Sequence, residues 1–232
     1  MMGYLDIFLF AVLPYVALVS IVVVSYLRYK MQRFSYSSLS SQFLENRSHF
    51  WALVPFHYGI IVVLLGHLVA FLIPRSILIW NAQPMRLFVL EVSSLIFAIL
   101  ALAGIVGAMV RRNSDSKAAI VTSQTDWILN ALLLLQIITG IVIAVFMSWG
   151  SSWFASSASP YLWSLVILSP ELSYISTMPF FVKLHIVGAF VIIGFFPFTR
   201  LVHILVTPLH YFNRQTQVVR WNYDRGSIRN VD

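Results

Sequence analysis

Five apolar runs, each long enough to cross a bilayer, dominate the sequence. They occupy residues 4–27, 51–74, 87–110, 127–149 and roughly 180–206. An α-helix needs about 20 consecutive apolar residues to span the hydrocarbon core, and its backbone polar groups must be satisfied within the segment. The sequence therefore predicts an all-α integral membrane protein that folds as a five-helix transmembrane bundle.

The composition supports this class of protein and excludes several others. Of the 232 residues, 59% are hydrophobic and only 10% are charged, whereas a soluble domain carries about 25% charged residues. The chain has no cysteine, which excludes disulfides, cysteine-held iron–sulfur clusters and covalently attached c-type haem. The formal net charge of +7 could suggest nucleic acid. Basic residues of a membrane protein instead mark its cytoplasmic loops, so no nucleic-acid partner is predicted.

The distribution of lysine and arginine predicts the orientation of the bundle. Eleven of the fifteen lie in the loops and tail on one side of the runs, whereas Arg75 and Arg86 lie on the other side. The remaining two, Lys183 and Arg200, fall within the fifth run. Because cytoplasmic loops are enriched in Lys and Arg, we predict that the N-terminus lies outside and the C-terminus in the cytoplasm.

Two stretches outside the runs complete the predicted organisation. A membrane domain over residues 1–206 is followed by a cytoplasmic tail at 207–232. Residues 150–179, named here the cap segment, are rich in Ser, Pro and aromatic residues. Its apolar stretch at 161–168 is too short to cross a bilayer, so the cap segment is predicted to lie along the outer interface.

Four histidines lie inside two of the runs, where an ionisable side chain is costly and marks a functional site by default. The second run holds His57 and His67, and the fifth holds His185 and His203. The two runs are antiparallel, so depth pairs His67 with His185 (the outer pair) and His57 with His203 (the inner pair). The helical rise of 1.5 Å per residue separates the two depths by roughly 15 to 27 Å.

This pattern favours haem over other uses of histidine. A single histidine in a membrane helix is often only hydrogen-bonded to a neighbouring helix, and metal-ion transport sites usually include carboxylates or thiolates. The second and fifth runs contain neither. We therefore predict two b haems, each held non-covalently by two histidines and stacked between these runs. Gly59, Gly66 and Gly188 are predicted to leave room for the macrocycles, although glycine also serves helix packing.

Three charged residues are candidates for further roles. Arg200 precedes His203 by one turn and could either bind a haem propionate or extend to the lipid headgroups. Arg86 and Glu91 lie near the outer end of the third run. There Arg86 could orient a quinol head group and Glu91 could accept its proton, unless they only anchor the helix at the interface.

Several segments resemble the gamma subunit of membrane-bound respiratory nitrate reductase, a di-haem cytochrome b that oxidises quinol. They are SYLRY at 25–29, SSQFLE at 40–45, FHYGIIVVLLGH at 56–67, the RR pair at 111–112, KLHIVGAFVIIGFFPFTRLVHILVTP at 183–208 and YFNRQTQVVR at 211–220. The resemblance covers nearly the whole chain with the same five-helix plan. The cap segment is the part that does not obviously match.

The resemblance implies a place in an electron-transfer chain in a prokaryotic plasma membrane. His67 and His185 would ligate the outer haem b, and His57 and His203 the inner one. Quinol would be oxidised near the outer haem, where Arg86 stands at the position of a family lysine. Electrons would then reach an iron–sulfur (beta) subunit, docked by the tail, and a molybdenum-containing (alpha) subunit that reduces nitrate in the cytoplasm. Haem b subunits of heterodisulfide reductase-like and sulfite-reduction-associated complexes share the histidine plan and are the alternative.

Overall fold

The computed structural model describes residues 3–37 and 47–206, with side chains of the second range described from residue 50. Over these residues five helices are long and apolar enough to span a membrane, which confirms the predicted five-span, all-helical plan. The spanning helices are α1 (Tyr4–Met31), α2 (Arg47–Leu72), α3 (Pro84–Ser114), α4 (Gln124–Phe146) and α5 (Phe180–Phe195, extended by the 3-10 turn Phe196–Phe198). The predicted tail and the SSQFLE motif lie outside the described residues.

Short helices connect the spans. A 3-10 turn at Arg33–Ser35 follows α1, Pro74–Asn81 joins α2 to α3, and Ser116–Ile120 joins α3 to α4. The helices at Pro74 and Pro84 begin with proline, which suits the first turn because its missing N–H would have no partner there. A capping box between Ser123 and Asp126 begins α4.

The fifth run is not one continuous helix, so the prediction that 180–206 forms a single span is wrong in that respect. The α-helix ends at Phe195, and 3-10 turns at Phe196–Phe198 and Arg200–Val206 follow. Pro197 has no N–H to donate, and Arg28 Nη1 of α1 binds the carbonyl oxygens of Pro197 at 2.6 Å and Thr199 at 3.0 Å. His203 therefore lies on a separate 3-10 turn.

Two glycines bring α2 and α3 into close contact. A Cβ atom at Gly59 would lie 2.5 Å from Ala101 N and 2.6 Å from Phe97 O of α3. A Cβ at Gly104 would overlap the backbone of Phe56 on α2. Small residues at such positions allow membrane helices to approach backbone to backbone. The absent side chain of Gly59 is thus accounted for by helix packing, and its predicted place beside a haem stays a prediction.

The cap segment is a packed part of the fold. It contains helices Gly150–Trp153, Ser159–Val166 and Ser173–Ser176 and a π-helical turn at Phe154–Ala158. Tyr161 is fully buried in a cluster with Phe10 of α1 and Phe190 of α5, and its hydroxyl donates to Phe10 O at 2.7 Å. Ser159 Oγ and Trp163 Nε1 donate to Ala70 O and Phe71 O at 2.9 Å each. The cap segment is therefore fastened to the last turn of α2.

Candidate functional site

The structure brings the outer pair together between α2 and α5. The ring centroids of His67 and His185 are 6.4 Å apart, and the two ring planes make an angle of 32°. The Phe154 ring of the cap segment meets His67 edge-on at 5.2 Å. The outer pair is therefore covered by the cap segment on one side, a contact that the sequence did not reveal.

Hydrogen bonds fix which nitrogen of each histidine carries the proton. His57 Nδ1 donates to Leu53 O at 2.7 Å and His67 Nδ1 donates to Val63 O at 2.8 Å, in both cases one turn earlier on α2. His203 Nδ1 donates to Arg200 O at 2.6 Å. A carbonyl oxygen can only accept, so each of these rings is protonated at Nδ1, and Nε2 of the neutral ring carries a lone pair that could bind a metal.

His185 reaches the same tautomer through a different helix. Its Nδ1 lies 2.9 Å from Thr139 Oγ1 of α4. The Thr139 hydroxyl lies 3.0 Å from Leu135 O and from Gln136 O, to which it donates. Because its proton is used there, the hydroxyl accepts from His185 Nδ1. Helix α4 thus sets the orientation of this ring.

Two more features of α4 surround His185. Gln136 Nε2 donates to His185 O at 3.0 Å, and its Oε1 fills the space at Gly188, where a Cβ would lie 2.5 Å away. A Cβ at Gly140 would lie 3.1 Å from His185 Cε1, so the absence of a side chain at Gly140 leaves space for the imidazole ring. Sequence reasoning missed Thr139, Gln136 and Gly140. The available signal was the presence of polar residues within an apolar run.

The inner pair lines a cavity of about 460 Å³. His57 contributes from α2 and His203 from the turn after α5. Much of the wall is apolar and comes from four helices or turns, including Phe56, Ile105, Leu129, Leu133 and Leu201. Polar and charged side chains gather in the remaining part: Arg111, Arg112, Thr122, Asp126, Asn130 and Arg200. This volume lies within the range of small-molecule and cofactor sites.

Arg200 has a protein partner that the sequence did not suggest. Its Nη2 lies 3.0 Å from Asp126 Oδ2 and donates to Val121 O at 2.7 Å. Asp126 is nearly completely buried at the start of α4. Because a buried carboxylate needs a counter-charge, this ion pair accounts for the position of Arg200 without a haem propionate or lipid headgroup.

The two quinol-site candidates lie on the first turns of α3 and contact different neighbours. The Arg86 guanidinium lies over the Trp80 ring, 5.1 Å from its centroid. Glu91 Oε1 accepts from Ser151 N at 2.8 Å and from Ser151 Oγ at 2.7 Å. Glu91 therefore holds the beginning of the cap segment. Gly66 has no atom within 4 Å of an added Cβ, so it remains the predicted glycine with open space beside it.

Among the described residues, His67 and His185 form a pair whose ring centroids lie 6.4 Å apart. Within 3–37 and 47–206, no group of three or more His, Cys, Asp or Glu side chains could hold a metal ion. Protein sites for ions such as zinc use three or four such ligands. This donor set suits a metal whose other ligands come from a macrocycle.

Comparison with known proteins decides the family. A family model described as nitrate reductase gamma subunit matches residues 6–222. The chain belongs to this family. It is 30% identical over 216 residues to the nitrate reductase gamma chain of Bacillus subtilis (strain 168), which is 91% of this chain and 96% of that protein.

Two further relatives match nearly the whole of this chain. The respiratory nitrate reductase 2 gamma chain of Escherichia coli (strain K12) is 29% identical over 228 residues, 95% of this chain and 99% of that protein. The nitrate reductase-like protein NarX of Mycobacterium tuberculosis (strain CDC 1551 / Oshkosh) is 28% identical over 228 residues, 95% of this chain and 34% of that protein.

Membership of the gamma subunit family has direct consequences. The chain is a multi-pass membrane electron-transfer subunit of nitrate reductase, an oxidoreductase complex with separate catalytic subunits. The family is a cytochrome b, which implies haem. These matches do not favour the alternative of a heterodisulfide reductase-like or sulfite-reduction-associated complex.

Proposed function

We propose that this gamma subunit oxidises quinol near the outer face of a prokaryotic plasma membrane and passes the electrons inward through two b haems. The electrons leave at the cytoplasmic side to an iron–sulfur (beta) subunit, and a molybdenum-containing (alpha) subunit reduces nitrate there. The observation that carries the proposal is the geometry of the outer pair, with ring centroids 6.4 Å apart on two antiparallel spans.

The residues fit a haem held by two histidines. Metal–imidazole bonds are about 2 Å long, and the ring centroids of His67 and His185 lie 6.4 Å apart, so both imidazoles could bind one metal ion. All four histidines are protonated at Nδ1, which leaves Nε2 as the ligand atom. Ligating histidines characteristically donate their other N–H to a carbonyl or another acceptor, which fixes the ring and raises its basicity.

The two proposed haem sites lie at different depths, and each has its own pair of histidines. When bound, each haem would supply a one-electron carrier. His67 and His185 would hold the outer one, and His57 and His203 the inner one. The apolar wall of the inner cavity would exclude water and lower the local dielectric constant. Both effects would set the redox potential of the haem.

The quinol site is proposed at the outer end of α3. Arg86 would bind the head group as a hydrogen-bond donor, since a guanidinium keeps its proton. Glu91 Oε1 takes both bonds from Ser151, so Oε2 would accept the proton of the quinol hydroxyl. Protons released there would leave on the outer side while electrons move inward, so turnover would build a membrane potential.

Substitution of the two candidates separates quinol oxidation from haem binding. In the purified complex, Arg86→Gln and Glu91→Gln should slow reduction of the haems by a quinol about tenfold or more, while dithionite still reduces both haems fully. Arg75 is exposed and basic like Arg86, but it lies in the connection between α2 and α3. Arg75→Gln is therefore the matched control and should behave as wild type. Wild-type rates in both variants would remove these two residues from the proposal.

A further inference from the structure

Two hydrogen-bond donors line the inner cavity without an acceptor. Among the described residues, Arg112 Nη1 of α3 and Asn130 Nδ2 of α4 are buried and have no hydrogen-bond partner. Both residues line the cavity that contains His57 and His203. Asn130 is only 6% exposed, within a spanning helix. Buried donors are almost always paired, so two of them in one cavity indicate a ligand with acceptor oxygens.

In the structure the carboxylate of Asp126, which also lines the cavity, bonds neither of these donors. Asp126 Oδ2 pairs with Arg200 at 3.0 Å and accepts from Ser123 N and Ser123 Oγ at 2.9 Å each. Asp126 and Asn130 are four residues apart on α4 and so lie on the same face of the helix. Arg200 therefore neutralises Asp126, the carboxylate that lines the cavity among the described residues and would otherwise repel an anion beside Asn130.

We infer that Arg112 and Asn130 form a carboxylate cradle for the propionates of the haem held by the inner pair. This inference rests on the proposed function and gives the propionate role to these two residues instead of Arg200. A guanidinium and an amide NH2 both donate to carboxylate oxygens, and the charged bond is the stronger one. Arg200 is then a positioning residue, acting on the cradle through Asp126.

The test compares haem b with its dimethyl ester, in which both propionates are uncharged. The parent chain is the full chain with His67→Ala, a substitution that should remove the outer haem site and leave the inner one intact. It is produced in haem-depleted cells, and the purified protein is titrated with each compound. Arg112→Gln and Asn130→Leu should each weaken binding of haem b about tenfold or more. They should leave binding of the ester unchanged relative to the parent chain. Lys117→Gln, a basic residue on the same side outside the cavity lining, should alter neither.

A variant that adds a negative charge and a redox readout make the test independent of folding. Asn130→Asp keeps the size of the side chain but places an anion against the propionates, so it should weaken haem b more than Asn130→Leu does and spare the ester. Arg112→Gln should also lower the midpoint potential of the inner haem, because a nearby positive charge favours the reduced iron.

The other possible outcomes contradict either the carboxylate cradle or the proposed haem function. Equal weakening of haem b and its ester would show that Arg112 and Asn130 act only on packing and would overturn the cradle. Unchanged binding of both compounds would overturn it as well. Failure of the parent chain with its inner pair intact to bind either compound would instead reject the proposed haem function.

Discussion

The four membrane histidines differ in what holds each ring in place. His57, His67 and His203 donate to carbonyl oxygens of their own helix or turn, which are fixed by the backbone. His185 is held by a side chain of another helix, since its Nδ1 lies 2.9 Å from Thr139 Oγ1 of α4. The basicity of His185 is therefore open to change by a single substitution at Thr139 that leaves the backbone intact.

Thr139→Val should raise the midpoint potential of the outer haem. Valine has nearly the shape of threonine but cannot accept from His185 Nδ1, so the imidazole becomes a weaker donor and stabilises the oxidised iron less. Redox titration of the two haems checks this, with Thr139→Ser as the control that keeps the hydroxyl. Identical potentials in the valine and serine variants would mean that the hydroxyl does not act on the ligand.

The approach of His67 to His185 could be predicted from sequence, because helical rise and antiparallel order set depth without any knowledge of packing. The pairing of His57 with His203 and the role of all four histidines as haem ligands stay predictions. The surroundings of His185 could not be predicted in this way. Which residues of α4 face it depends on how α4 is rotated against α5, and apolar sequence patterns do not fix that rotation in a membrane, where lipid is as apolar as the protein interior. The Arg200–Asp126 pair was missed for the same reason.

At the scale of helices, the spans could be predicted from the lengths of the apolar runs. The end of α5 at Phe195, inside the fifth run, could not. Both α2 and the fifth run contain a proline, yet Pro55 lies inside a continuous helix whereas Pro197 ends one. The difference is tertiary, since Arg28 of α1 supplies hydrogen bonds to the carbonyls around Pro197. A local sequence pattern cannot show a partner 169 residues away.

Helix packing between α2 and α3 depends on Gly104. Gly104→Ala would place Cβ against the backbone of Phe56, which cannot move without separating the helices, so we expect a loss of about 1–3 kcal/mol of stability. Thermal unfolding in detergent measures this. Gly107→Ala, where the nearest atom is Ala52 Cβ at an ordinary 3.4 Å, is the matched control on the same helix. A Gly104→Ala protein as stable as the control would contradict the close contact.

For the whole molecule, the direction of electron flow depends on the predicted topology. If the N-terminus lies outside and the basic loops inside, as predicted, the outer pair faces the side proposed for quinol oxidation. A fluorescent-protein fusion at the C-terminus should be bright, and an alkaline phosphatase fusion there should be inactive, because one folds in the cytoplasm and the other outside it. The opposite pattern would reverse the proposed direction of electron flow.

The central claim is that one chain holds two b haems through two histidine pairs. The most direct measurement is haem content per chain in the purified protein, in wild type and in His67→Ala. Our account predicts about two b haems in the wild type and one after His67→Ala, with the remaining haem still reducible by dithionite. A colourless wild-type protein, or a His67→Ala protein that keeps both haems, would contradict it.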